Sequence, residues 1–390
     1  MLLLSLMVAA CTGAPQGPVL QPLELRVLAG EGGSRLPHTH TGPTWADPDL
    51  PIGDLTWRAG DAVAPPLAEP AAVVAGSPLR LALRATAAQD GRIEVTATAT
   101  AEHAPERPPL ALGAAAAPVT AGALVDLLVE TPPLPAEVGV WRVDLEVAFE
   151  PRAPDGEAAH TTVSQRVAQL WSTPIEGTPL YTQSVVWAAS WAAGLPSRAA
   201  TPPDGIEAAE DEIARRMLAG HWTLGEQGHS YGAFPRPKEK DNQAHVFLDF
   251  PRSACGELRG FLMSVIEAHG VDARWVMLIF QDRSRDRLSM YETRDIAALG
   301  TASKVWRHYN HVAVEVNGRV YDPTYDIEAE DFAAYEDDLF ARYCYGEDEP
   351  CGNRGSGWCK EPRPDALCVD NPPGYDPETA GFTVKRGDNY

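Results

Sequence analysis

The apolar residues between Phe250 and Trp275 constrain most strongly what this chain can fold into. Leu258, Phe261, Leu262, Val265, Ile266 and Ala268 recur at steps of three and four, which predicts a helix with one buried face. Ser253 is placed to cap its start, Glu257 puts an acid in the first turn where the helix dipole favours it, and Gly270 is placed to end it in a left-handed turn. Cys255 falls in that first turn. Leu258, Leu262 and Ile266 follow it at helical spacing, so the thiol points along the edge of the core-facing stripe.

A cysteine in this position is either a small buried hydrophobe or a nucleophile. An ordinary thiol titrates near about 8.5 and is mostly protonated at neutral pH. A helix dipole contributes on the order of 0.3–1 kcal/mol, less than the roughly 1.4 kcal/mol that one pKa unit represents. A nucleophilic Cys255 therefore requires a basic partner.

The segment from His311 to Asp326 offers one. Val312, Val314 and Val316 alternate, Asn317-Gly318 follows, and Arg319 to Tyr321 resumes the pattern, which is a strong two-residue hairpin signal. With Val316 opposite Arg319, the register sets Ala313 against Asp322 and His311 against Thr324. His311 and Asp322 then share one face as diagonal neighbours, roughly 7–8 Å apart at the backbone. A carboxylate beside an imidazole fixes its tautomer and stabilises its charged form. His308 is the competing base. It precedes the strand with opposite parity to His311, so on a continued strand it faces away from Asp322.

Cys255, His311 and Asp322, in that order, resemble the transglutaminase-like superfamily of papain-type cysteine enzymes. The matching features are a cysteine opening a helix with an acid two places on, the helix exit HGVDARWV, the strand HVAVEV and the following YDPTYD. The resemblance covers about residues 205 to 330. It implies a thiolate nucleophile at Cys255, a base at His311 and an orienting carboxylate at Asp322 on a helix-plus-sheet core. No cofactor and no metal are expected. Relatives usually carry glycine two residues before the cysteine and often an aromatic two after the histidine, where this chain has Ser253 and Ala313.

An acyl-transfer site also needs a donor beside the Cys255 N–H to hold the developing oxyanion. The irregular stretch from His221 to His245 contains Trp222, His229, Tyr231 and Gln243, and is where that donor is expected. The sequence does not choose among them. Before this stretch, Asp204 is placed to cap an amphipathic helix through Leu218, and Trp187 and Trp191 share one face of a helix expected to pack between domains.

Elsewhere the chain reads as strands. Leu23 to Leu28, Leu79 to Thr86, Arg92 to Ala101, Ala123 to Glu130, Val140 to Phe149 and Thr161 to Trp171 alternate or are β-branched, with Pro/Gly/Ala loops between them. Regular strands without helices indicate an antiparallel sandwich of the immunoglobulin type. The expected class is thus α+β. A β-sandwich over residues 22–172 leads through a junction at 173–203 to a transglutaminase-like domain at 204–342.

The opening MLLLSLMVAACTG is an apolar run closed by small residues directly before Cys11, which resembles a bacterial lipoprotein signal. The reading is a signal over residues 1–11, lipid on Cys11 as the membrane anchor, a tether at 12–21, and a location in the cell envelope, periplasmic or on the cell surface. Cys344, Cys351, Cys359 and Cys368 lie in a Gly/Pro/Asn-rich tail at 343–390 without CxxC pairs, so two disulfides are expected there, with three pairings open. A net charge of −22 without a basic stripe excludes a nucleic-acid partner. The function expected is hydrolysis or acyl transfer at a peptide or protein amide. The alternative is a non-catalytic surface-binding or scaffold lipoprotein with an inactive domain of the same shape.

Overall fold

The computed structural model describes residues 71–150, 160–232, 244–250, 252–279, 287–308 and 310–345, with the short strands Leu20–Ala29, Thr39–His40, Leu55–Arg58, Gln281–Asp282, Arg354–Gly355, Trp358–Cys359, Leu367–Asp370 and Thr383–Gly387. Cys11, Cys351 and Gln243 lie outside these residues. The class is α+β, rich in strand.

Two sheets make the first half. One orders Leu55–Arg58, Leu20–Ala29, Leu79–Ala87 and Leu124–Glu130; the other orders Ala71–Val74, His160–Leu170, Gly139–Glu150, Gly91–Ala101 and Leu110–Val119. Along Leu79–Ala87 the residues Leu79, Leu81, Leu83, Ala85 and Ala87 are buried in strict alternation, the period of a strand with one face on a core. They join Ile93, Val95, Trp141, Val143, Leu145 and Phe149 of the other sheet in one apolar cluster. The pairing is not wholly antiparallel as expected, because Ala71–Val74 runs parallel to His160–Leu170. The alanine-rich Leu110–Val119 also forms a strand. Its small residues carry little strand propensity, but the adjacent Gly91–Ala101 gives it an edge to pair with.

Five helices follow among the described residues: α1 Thr182–Trp191, α2 Ile206–Thr223, α3 Ala244–Asp249, α4 Cys255–Glu267 and α5 Phe332–Leu339. Helix α1 lies between the Gly139–Glu150 and His160–Leu170 strands on one side and α4 on the other. Trp187 and Trp191 stack at 5.8 Å and meet Phe261 of α4 edge-on, as their spacing predicts. His269, just beyond α4, ties this joint: its Nδ1 accepts from the Trp171 N–H at 3.1 Å and its Nε2–H donates to the Ala188 carbonyl at 3.0 Å. Helix α2 starts one residue later than the sequence suggests. Asp204 lies in a short 3-10 turn, Pro203–Gly205, and Gly205 occupies the cap position.

The second half holds two more sheets. One orders Ile327–Ala329, Arg319–Asp322, Asn310–Val316, Arg274–Ile279 and Thr383–Gly387. The other contains Arg287–Ala298 between Thr301–His308 and Phe340–Tyr345, and a Cys344–Cys368 disulfide joins Phe340–Tyr345 to Leu367–Asp370. Among the described residues, no helix is long and apolar enough to cross a membrane.

Candidate active site

Helix α4 is buried along almost its whole length, and it packs across the Asn310–Val316 strand. That crossing brings the helix start to the strand start, where Cys255 and His311 lie. Cys255 is the first helical residue, and Ala254 before it is extended at φ −88° and ψ 173°. The cap is not Ser253. Glu257 reaches back so that its Oε2 accepts from the Ala254 N–H at 3.0 Å, and this leaves Ser253 one residue outside the helix. Ser253 instead belongs to the short strand Arg252–Ser253, paired in parallel with Ser230–Tyr231 so that Ser253 is the partner of Tyr231. Gly270 takes φ +74°, and a side chain there meets the Thr173 carbonyl, so the left-handed exit is required on both counts.

The hairpin forms in the expected register, with Val316 opposite Arg319, Glu315 opposite Val320 and Val314 opposite Tyr321. Asn317 and Gly318 take φ 51° and 84°, the pair of positive values that a two-residue turn of this hand needs. The diagonal closes as the register predicts. His311 Nε2–H donates to Asp322 Oδ2 at 2.7 Å, and both side chains are fully buried.

Asp322 is held from three sides. Its Oδ2 also accepts from the Tyr335 hydroxyl at 2.8 Å, and its Oδ1 accepts from the Thr324 N–H at 2.8 Å. These bonds fix the carboxylate plane, and the carboxylate in turn fixes the imidazole. Burial opposes charge on His311, but the Asp322 carboxylate and the Cys255 thiol outweigh it and push the imidazole up to about 10. With Nε2 engaged by Asp322, Nδ1 is the ring nitrogen left to the Cys255 side chain. It is therefore the atom available to exchange a proton with Cys255.

His308 departs from expectation. It does not extend the His311 strand, because Thr301–His308 ends there in one sheet and Asn310–Val316 begins in another. Its ring comes to 5.4 Å from that of His311 rather than facing away, and its Nε2 shares a 2.5 Å hydrogen bond with the Tyr325 hydroxyl. Burial, reinforced by the charge on His311, drives its pKa well below the ordinary value. His308 is thus a neutral neighbour of the His311–Asp322 pair.

Tyr231, Tyr291, Tyr325 and Tyr335 complete a buried aromatic wall, and burial raises all four phenols well above their ordinary value, so they remain protonated donors. Of the residues in the irregular stretch, Tyr231 reaches this wall, with its ring 6.0 Å from Tyr325 and 6.2 Å from His308. His229 stacks on Phe247 at 4.5 Å, and Trp222 packs against the apolar core. Tyr325 and Tyr335 were not legible as site residues: one follows Asp322 in a turn, and the other comes from α5, a separate short helix in an acidic stretch.

Among the described residues, no cluster of three or more His, Cys, Asp or Glu side chains is arranged to hold a metal ion. The arrangement can ionise a thiol against an imidazole whose tautomer is fixed, and it can return the proton to a leaving group. In comparisons with known proteins, no family model matches the chain and no curated protein matches it significantly.

Proposed function

We propose that the chain is a cysteine-dependent amide hydrolase or acyltransferase of the transglutaminase-like type. Cys255 is the nucleophile, His311 the base and then the acid, and Asp322 the orienting carboxylate. The reading is carried by one observation, the buried 2.7 Å bond from His311 Nε2–H to Asp322 Oδ2, which leaves Nδ1 for the thiol. In the forward step the Cys255 sulfur bonds to the substrate carbonyl carbon, and the His311 proton goes to the departing amine as the C–N bond breaks. Water or a second amine then attacks the thioester, and its proton passes to His311 as the C–S bond breaks.

The substrate class is a peptide or protein amide outside the cytoplasm. The first half of the chain is an immunoglobulin-like sandwich that presents this domain from a lipid anchor on Cys11, and the tail cysteines are closed as disulfides. The small residues before Cys11 support the anchor, and the Cys344–Cys368 bond supports an oxidising location. The test is trapping of an acyl-enzyme. Incubation with a chromogenic amide or activated ester, followed by intact-mass analysis, is expected to show one acyl group on Cys255 in the wild type and none in Cys255→Ala. Acylation elsewhere, or none, overturns the proposal.

A further inference from the structure

Ser253 is a buried polar side chain just before the α4 start. It is 1 % exposed, and its hydroxyl has no hydrogen-bond partner. Leaving a buried hydroxyl unsatisfied costs on the order of 1–3 kcal/mol, so a position like this calls for an explanation. Capping is not the explanation, since Glu257 closes the α4 start through the Ala254 N–H.

Two features of the backbone aim the hydroxyl. Ala254 is extended, so the side chains of Ser253 and Cys255 leave the chain on the same side. Ser253 is also the parallel-strand partner of Tyr231, which places its side chain on the same face as the phenol of the buried wall. The hydroxyl thus leaves the chain on the side of the Cys255 side chain, two residues before a helix start whose first N–H groups have no intrahelical acceptors.

We infer that the Ser253 hydroxyl is the second donor to the oxyanion formed when the Cys255 sulfur attacks an amide carbonyl, acting beside the Cys255 N–H. The inference rests on the proposed function and adds a catalytic residue to it. As the C–S bond forms, the carbonyl π pair moves to oxygen, and the Ser253 O–H donates a hydrogen bond to it without giving up its proton. As the C–N bond breaks, the carbonyl re-forms and the hydroxyl is again without a partner. A donor unsatisfied in the resting state and satisfied only in the transition state contributes to rate rather than to substrate binding.

The experiment compares wild type, Ser253→Ala and Ser253→Thr in the full chain, by turnover of one chromogenic amide, by alkylation of Cys255 with iodoacetamide, and by thermal unfolding. Alkylation at a saturated carbon builds no oxyanion, so it separates this role from positioning of the thiol. For Ser253→Ala the expected result is a fall in kcat of roughly 10- to 1,000-fold with KM nearly unchanged. The alkylation rate is expected to stay within about 2-fold, and the melting temperature is expected not to fall, because an orphaned hydroxyl has been removed. Ser253→Thr is expected to keep most of the turnover. An unchanged kcat in Ser253→Ala overturns the inference, and so does a loss of turnover matched by an equal loss of alkylation or by a lower melting temperature. A wild-type chain that neither turns over the amide nor forms a thioester overturns the proposed function and this assignment with it, and that failure is recognised because it appears before any substitution is made.

Discussion

His311 and Asp322 are not cross-strand partners, yet they are bonded at 2.7 Å, because a diagonal of the Asn317-Gly318 hairpin brings the imidazole over the carboxylate. Asp322→Asn keeps the shape but offers an amide that can hold the wrong imidazole tautomer. We expect circular dichroism to be unchanged and amide turnover to fall by about 10³-fold or more, a loss of about 4 kcal/mol of transition-state stabilisation. Retention of half the activity in a folded Asp322→Asn protein contradicts an orienting role.

The pH dependence follows from the same pair. His311 is held up at about 10, above its ordinary 6.5, so the imidazolium proposed to protonate the leaving amine is present throughout the neutral range and is lost only as pH rises through about 10. The stability contributed by this protonated pair is fully present below about 6.5 and disappears through the same alkaline window. The alkaline limb of kcat is expected near 10 in the wild type and lower in Asp322→Asn. A wild-type limb near 6.5 means that the carboxylate does not hold the proton on His311.

His308 and His311 are expected to respond differently. His311→Ala removes the proposed base and is expected to abolish most turnover. His308→Ala leaves the base in place but opens a cavity and strips the Tyr325 hydroxyl of its 2.5 Å partner, so the main effect is on stability, roughly 1–3 kcal/mol in urea unfolding. Because the His308 ring lies 5.4 Å from that of His311, a modest fall in turnover, within about 10-fold, accompanies it. A folded His308→Ala protein that is inactive moves the base to the other histidine.

His221 tests the buried neutral histidines. It lies on Phe247 at 5.1 Å and Phe261 at 5.5 Å with neither ring nitrogen bonded, and burial, with His229 nearby, lowers it to about 3. The unfolded chain then binds a proton that the folded chain refuses, so stability is lost as pH falls from about 6.5 towards 3. Replacing His221 by Phe is expected to change stability little at pH 7 and to raise it at about pH 4.5 by roughly 2–3 kcal/mol relative to wild type. Identical acid sensitivity in both proteins rules out a buried neutral His221.

Legibility in the sequence followed the range of the interactions. Helix α4, the hairpin and the register that joins His311 to Asp322 are local and periodic, and the apolar spacing and Asn-Gly turn specify them. The strands of the first half were legible for the same reason, apart from Thr39–His40, Leu55–Arg58, Ala71–Val74 and Leu110–Val119, which pair with a neighbour that offers hydrogen bonds. What escaped was three-dimensional. Ser253 looks like a cap until Glu257 is seen to take that role, and His308 appears to face away until the chain is seen to change sheets between it and His311. Tyr335 reaches Asp322 from a separate helix, a contact that no spacing encodes.

The most direct test of the account is the rate at which iodoacetamide alkylates Cys255 at pH 6, with the site identified by peptide mass spectrometry, in wild type and in folded His311→Ala. An ordinary thiol is almost wholly protonated at that pH, whereas a thiolate beside an imidazolium is not. The account predicts rapid alkylation of Cys255 in the wild type and a rate at least about 100-fold lower in His311→Ala. Equal rates in the two proteins, or a wild-type Cys255 that reacts no faster than a free cysteine, would contradict it.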